Sequence, residues 1–88
     1  MKQLQPTNKF KKDYKRCTAR GLKTAKLKAI FELLQRDEDL PARCRPHRLS
    51  GNWSGYWECH IESDWLLIYR YEGDFIYLER TGTHSDLF

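Results

Sequence analysis

No apolar run in this sequence approaches the roughly twenty residues that a membrane-spanning helix needs, and the opening MKQLQPTNKFKK lacks the hydrophobic core of a signal peptide. Both absences argue against a membrane or exported protein, so the expected compartment is the cytoplasm. Cysteine is scarce: Cys17, Cys44 and Cys59 are odd in number and unrelated in spacing, which excludes a disulfide framework and suits a reducing environment. No C-x-x-C or H-x-x-x-H pair is present, and Cys59 and His60, adjacent on an extended segment, face opposite sides. No metal or other cofactor is therefore expected. Internal repeats and low-complexity tracts are also missing. Lysine disappears altogether after Lys28.

That last absence marks a division of charge. Residues 1–36 hold eight Lys and three Arg against Asp13 and Glu32, a net +9, while residues 37–88 hold five Arg against ten carboxylates, a net −5. The overall +4 conceals this segregation. A basic first segment suits a surface for a polyanion such as nucleic acid, and equally suits helices that are merely well solvated. With 88 residues the chain is long enough for one modest core, and residues 1–88 are expected to form a single domain.

The apolar pattern changes period along the chain. KQLQ reads as a short strand closed by Pro6, with Thr7 placed to cap a following helix. Phe10, Tyr14 and Cys17 then recur at helical spacing, with Lys9, Lys11, Lys12, Lys15 and Arg16 on the other faces. Gly21 supplies a left-handed stop, and Leu27, Ile30, Phe31 and Leu34 repeat the helical period. Residues 37–54 follow neither period and are read as a long loop, of a length that is often functional. Beyond Gly55 the period becomes two: Trp57, Cys59 and Ile61 point one way, Glu58, His60 and Glu62 the other. WLLIYRY has the continuous apolar character of a central strand, and Gly73 turns the chain into FIYLER. The expected fold is α+β, in the order β-α-α-β-β-β, an antiparallel sheet with a helical hairpin packed on one face and a polar face opposite.

Three histidines in a small basic domain raise acid–base chemistry. His60 lies on the polar side of its strand, with Asp64 four residues on across a tight bend; His47 sits in the arginine-bearing loop and His84 near the C-terminus. Imidazole is the side chain best suited to exchange protons near neutrality. If loop and terminal stretch fold over the polar sheet face, these groups converge with Arg80. Such a set suits RNA cleavage by its own 2′-hydroxyl, with a base for the 2′-OH, an acid for the 5′-oxygen and a cation for the phosphorane charge. Arg80 carries a difficulty: in an unbroken strand it shares a face with Ile76 and Leu78, and it reaches the polar face only through a twist or bulge. Arg45 and Arg48, in the loop, and Lys12, in the basic helix, are candidate phosphate contacts, while Trp65 and Phe88 are candidate stacking residues. The cysteines read as inert core.

The stretches PHRLSGNWSGYWECHIESDWLLIYR and ERTGTHSDLF resemble the RelE/ParE superfamily of bacterial type II toxins, and closely its YafQ branch. The motifs H-x-L-x-G-x-W, C-H-I-x-x-D-W and R-x-G-T-H-x-x-L-F stand in that order at fitting intervals. The resemblance implies a RelE-like microbial RNase fold and an endoribonuclease that cuts messenger RNA in the ribosomal A site without metal. It also implies restraint by a cognate antitoxin, which would cover the basic helices or block the site, and no DNA binding by the toxin alone. By position in the motifs, the site comprises His47, His60, Asp64, Trp65, Arg80, His84 and Phe88. His84 is the implied general acid and His60 or His47 the base. Asp64 would orient or share that task, and Arg80 would hold the phosphate. Two other readings keep the fold: a ParE-like poison of DNA gyrase, which would not require the histidine and aspartate set, and a non-catalytic RNA-binding module.

Overall fold

The computed structural model describes residues 1–88. Strand β1 (Gln3–Pro6) leads into helix α1 (Asn8–Ala19), whose start is capped by Thr7 Oγ1 accepting from the Phe10 amide. Helix α1 turns Phe10, Asp13 and Cys17 inward, and α2 (Thr24–Gln35) turns in Leu27, Ile30 and Leu34. The link between them needs Gly21, whose φ of +83° is open to glycine at little cost.

The sheet contains β2 (His47–Arg48), β3 (Trp57–Glu62), β4 (Trp65–Glu72) and β5 (Phe75–Gly82), in the spatial order β1-β5-β4-β3-β2. Neighbours among β2 to β5 are antiparallel, with Gly73 and Asp74 forming the two-residue turn between β4 and β5. The wholly antiparallel sheet expected from the sequence is corrected at its edge: β1 runs parallel to β5, pairing Gln3 with Phe75 and Pro6 with Leu78. The presumed loop 37–54 also has structure, with short 3-10 turns at Ala42–Cys44 and Gly51–Trp53 on either side of β2.

The principal core lies between helices and sheet, where Phe10, Leu27, Ile30 and Leu34 meet Cys59, Trp65, Leu67, Tyr69, Ile76 and Leu78. Burial pushes the Cys59 thiol well above its ordinary range, as befits an inert core cysteine. The opposite sheet face is not a bare polar surface. Leu66 and Ile68 are covered there by Leu87, Leu49, Trp53 and Tyr56, because the loop and the C-terminal stretch both fold onto it. That stretch forms α3 (His84–Leu87), opened by a reciprocal cap in which Thr83 Oγ1 accepts from the Asp86 amide and Asp86 Oδ2 accepts from the Thr83 amide.

Candidate active site

The second sheet face is assembled in rows. Register places Arg80, Ile68, Glu58 and His47 side by side across β5, β4, β3 and β2, and paired residues of an antiparallel ladder share a face. Strands spaced about 4.8 Å apart put Arg80 and Glu58, two strands distant, about 10 Å from one another. The next row holds Gly82, Leu66 and His60. Arg80 joins its row through the bulge that an unbroken strand would have denied it. Ile68 pairs with Arg80 and Tyr69 with Leu78, leaving Glu79 unmatched. The extra residue turns Arg80 to the second face and Thr81 to the helix side, where Thr81 is fully buried.

Over these rows lies α3. The His84 and His60 rings approach to 6.0 Å between centroids. His84 Nδ1 lies 2.7 Å from Asp64 Oδ1, and the same oxygen accepts the His84 backbone amide at 3.0 Å. A carboxylate only accepts, so Nδ1 carries a proton and Nε2 is the nitrogen left for proton transfer. The His84 amide, and then its ring, hold the Asp64 carboxyl below the ordinary carboxylate value. On the other flank both ring nitrogens of His47 face acceptors: Nδ1 is 2.8 Å from the Arg45 carbonyl and Nε2 is 3.3 Å from Glu58 Oε1. The second contact gives Glu58, which is only 6% exposed, a polar partner from the neighbouring strand. Arg45 aims its carbonyl from a left-handed backbone, φ +44°.

The face therefore gathers His47, His60, Asp64, Arg80 and His84. His60 is on the expected side of its strand yet is 9% exposed rather than open, because the covering layer shields it, and its Nδ1 has no partner. Asp64 bonds His84, a partner from α3. Phe88 stands 60% exposed at the rim, edge-on to Trp53 at 6.0 Å. Arg45 lines a shallow groove beside His60 with Arg43 and Ser63. Lys12 is exposed on α1.

One expectation fails, and one residue stands apart from the rest. Trp65 cannot stack on a base: it is 2% exposed in the principal core, with Nε1 donating to Thr81 Oγ1 at 2.9 Å, because it alternates along β4 onto the same face as Leu67 and Tyr69. Arg48 alternates away from His47 to the helix-side face, its guanidinium 5.3 Å from the centre of the Trp57 ring. Sequence reasoning missed Glu58, although its alternation with Cys59 already put it on the histidine side. It missed Asp13 too, a lone acid at a core-facing position of a basic helix.

Fold and face together define a small α+β domain that presents imidazoles, carboxylates and an arginine on one face of its sheet. A family model described as "Bacterial toxin of type II toxin-antitoxin system, YafQ" matches residues 2–88. The mRNA interferase toxin YafQ of Escherichia coli K12 is 38% identical over 86 residues, covering 97% of this chain and 94% of that protein. The crystal structure of YafQ from E. coli BL21(DE3) superposes with a TM-score of 0.93 at 36% identity, covering 100% of this chain and 99% of the other. YafQ in the E. coli DinJ–YafQ toxin-antitoxin complex superposes with a TM-score of 0.89 at 38% identity, covering 99% and 97%. The chain belongs to the YafQ family of bacterial type II toxins, with its RelE-like fold.

Proposed function

We propose that this chain works as an mRNA interferase through the face just described, cutting RNA by attack of the 2′-hydroxyl on the adjacent phosphorus. The chain supplies each group the reaction needs. Glu58, with His47 beside it, takes the 2′-OH proton; the 2′-oxygen bonds to phosphorus; Arg80 stabilises the negative charge that accumulates on the phosphoryl oxygens. As the bond to the 5′-oxygen breaks, that oxygen receives a proton from His84 Nε2, while Nδ1 stays bonded to Asp64. The products are a 2′,3′-cyclic phosphate and a 5′-hydroxyl. His60 lies between base and acid, its ring 6.0 Å from that of His84.

The observation that carries this reading is the placement of an Asp64-anchored His84 6.0 Å from His60, on the face that also holds Glu58, His47 and Arg80. A cognate antitoxin is the protein partner, as DinJ is for YafQ in the E. coli complex, and the cytoplasm, where ribosomes present mRNA, is the place of action. The test is incubation of the purified toxin with ribosome-bound mRNA, and separately with free RNA oligonucleotide, in excess chelator. Fragments ending in 2′,3′-cyclic phosphate that disappear with His84→Ala support the reading. Salt-sensitive binding without products would instead favour the binding-module alternative.

A further inference from the structure

We propose that Asp13, on α1 and outside the acid–base rows, is a positioning residue for the reaction: it aims the phosphate-binding edge of Arg80. The inference rests on the nuclease reading above. Asp13 is 3% exposed in the middle of a helix whose other faces carry lysine, and a buried carboxylate persists only when its lone pairs are occupied. All of its bonds run to one locality. Arg80 Nε donates to Oδ2 at 2.6 Å and Arg80 Nη2 to Oδ1 at 3.2 Å, a two-pronged contact along one side of the guanidinium. Oδ1 also accepts from Arg16 Nη2 at 2.9 Å, and Oδ2 from the Thr81 amide at 3.2 Å.

The geometry has a directional result. A planar guanidinium held along its Nε–Nη2 side keeps its adjoining tip, the Nη1–Nη2 edge, free of the carboxylate and fixed in direction. Arg80 borders a cleft of about 360 Å³ shared with Lys9, Asn52, Trp53, Tyr56 and one acid, Glu79. The Thr81 contact fixes the backbone just beyond the bulge, so one carboxylate sets both where Arg80 leaves the strand and how its side chain is turned. Hydrogen bonding to Asp13 raises the arginine's already high pKa further, so the cation stays fully charged while being held. Arg16 shares a second positive charge with the same carboxylate, so Asp13 orients the cluster without neutralising it.

The test compares Asp13→Asn, Asp13→Glu, Arg80→Ala and the double variant Asp13→Asn/Arg80→Ala on one RNA substrate with chelator present, alongside the thermal midpoint of each. Asp13→Asn is expected to lower kcat roughly a hundredfold with KM little changed, the signature of a misaimed transition-state contact. The double variant should cut no more slowly than Arg80→Ala, because without the guanidinium the carboxylate has nothing to aim. Asp13→Glu keeps the buried charge but moves it by one methylene; it should hold the thermal midpoint near that of the native chain and still lose most of kcat. It carries the test if the asparagine variant does not fold. Added guanidinium ion should partly restore Arg80→Ala and fail to restore the double variant. Losses that multiply in the double variant, a fully active Asp13→Glu, or rescue by guanidinium regardless of Asp13 would each overturn the assignment. A native chain that cuts neither substrate would overturn the nuclease reading, and this inference with it.

Discussion

One oxygen of Asp64 holds His84 twice, at 2.7 Å from ring Nδ1 and 3.0 Å from the backbone amide. The double contact fixes the ring's tautomer and its azimuth together, although both side chains are more than half exposed. Asp64→Asn can present its amide nitrogen or its oxygen to the ring but no longer a charge. Cleavage is expected to fall about a hundredfold or more in kcat, with an unchanged far-ultraviolet spectrum. Single-turnover rates on one oligonucleotide measure it.

Asp86 anchors the same helix from beneath. Arg20 grips it at 2.6 and 3.1 Å and the Thr83 amide adds a third bond, holding its carboxyl far below the ordinary value of 3.8. A carboxyl depressed by folding contributes fully above its unfolded value and loses that contribution as pH falls through the folded one. Docking of α3 should therefore be intact at neutrality and weaken progressively as pH falls below 3.8. Asp86→Asn should be loosened already at neutral pH and show no such acid transition. Amide exchange of residues 83–88 against pH distinguishes the two.

Thr81 is both acceptor for Trp65 Nε1 and donor to the Leu66 carbonyl, at 2.9 and 2.7 Å, wholly out of solvent. Thr81→Val keeps the shape and removes both partners. The stranded indole N–H and carbonyl should cost about 1–3 kcal/mol in urea unfolding, with cleavage at low temperature close to native.

Arg48 provides a negative control that separates face from charge. It packs on Trp57, on the side of the sheet away from the histidines. Arg48→Ala should lose about 0.5–1 kcal/mol of stability and retain near-native kcat, whereas Arg80→Ala loses orders of magnitude. Equal losses would mean that RNA crosses both faces.

Much of this was readable from local pattern. The helical period of Phe10 and Cys17, the glycine stop at Gly21 and the turn at Gly73 are short-range signals, and each element formed where its signal lay. Arg80's reach for the second face could be posed as a bulge or nothing, since its parity with Ile76 and Leu78 is set by the strand's period of two. What eluded the sequence depends on distant partners. The parallel docking of β1 on β5 leaves no periodic trace in a four-residue strand. The burial of Leu66 and Ile68 beside the histidines is imposed by a covering layer of Leu49, Trp53, Tyr56 and Leu87. Trp65 is the exception: it looked exposed because it adjoins a bend, yet its alternation with Leu67 and Tyr69 already set it on the helix side. The chemical groups were legible and their neighbours were not.

The pairing of β1 with β5 joins stretches some seventy residues apart, Gln3 to Phe75. Contacts of such high sequence separation form late, since the whole intervening chain must first be confined. During synthesis, histidines 47 and 60 emerge while their arginine and their third imidazole are still unmade and the sheet's central strand lacks its neighbour. A ribosome translating this message therefore carries an incomplete nuclease, and the fold itself delays the weapon until β5 and α3 have closed around it.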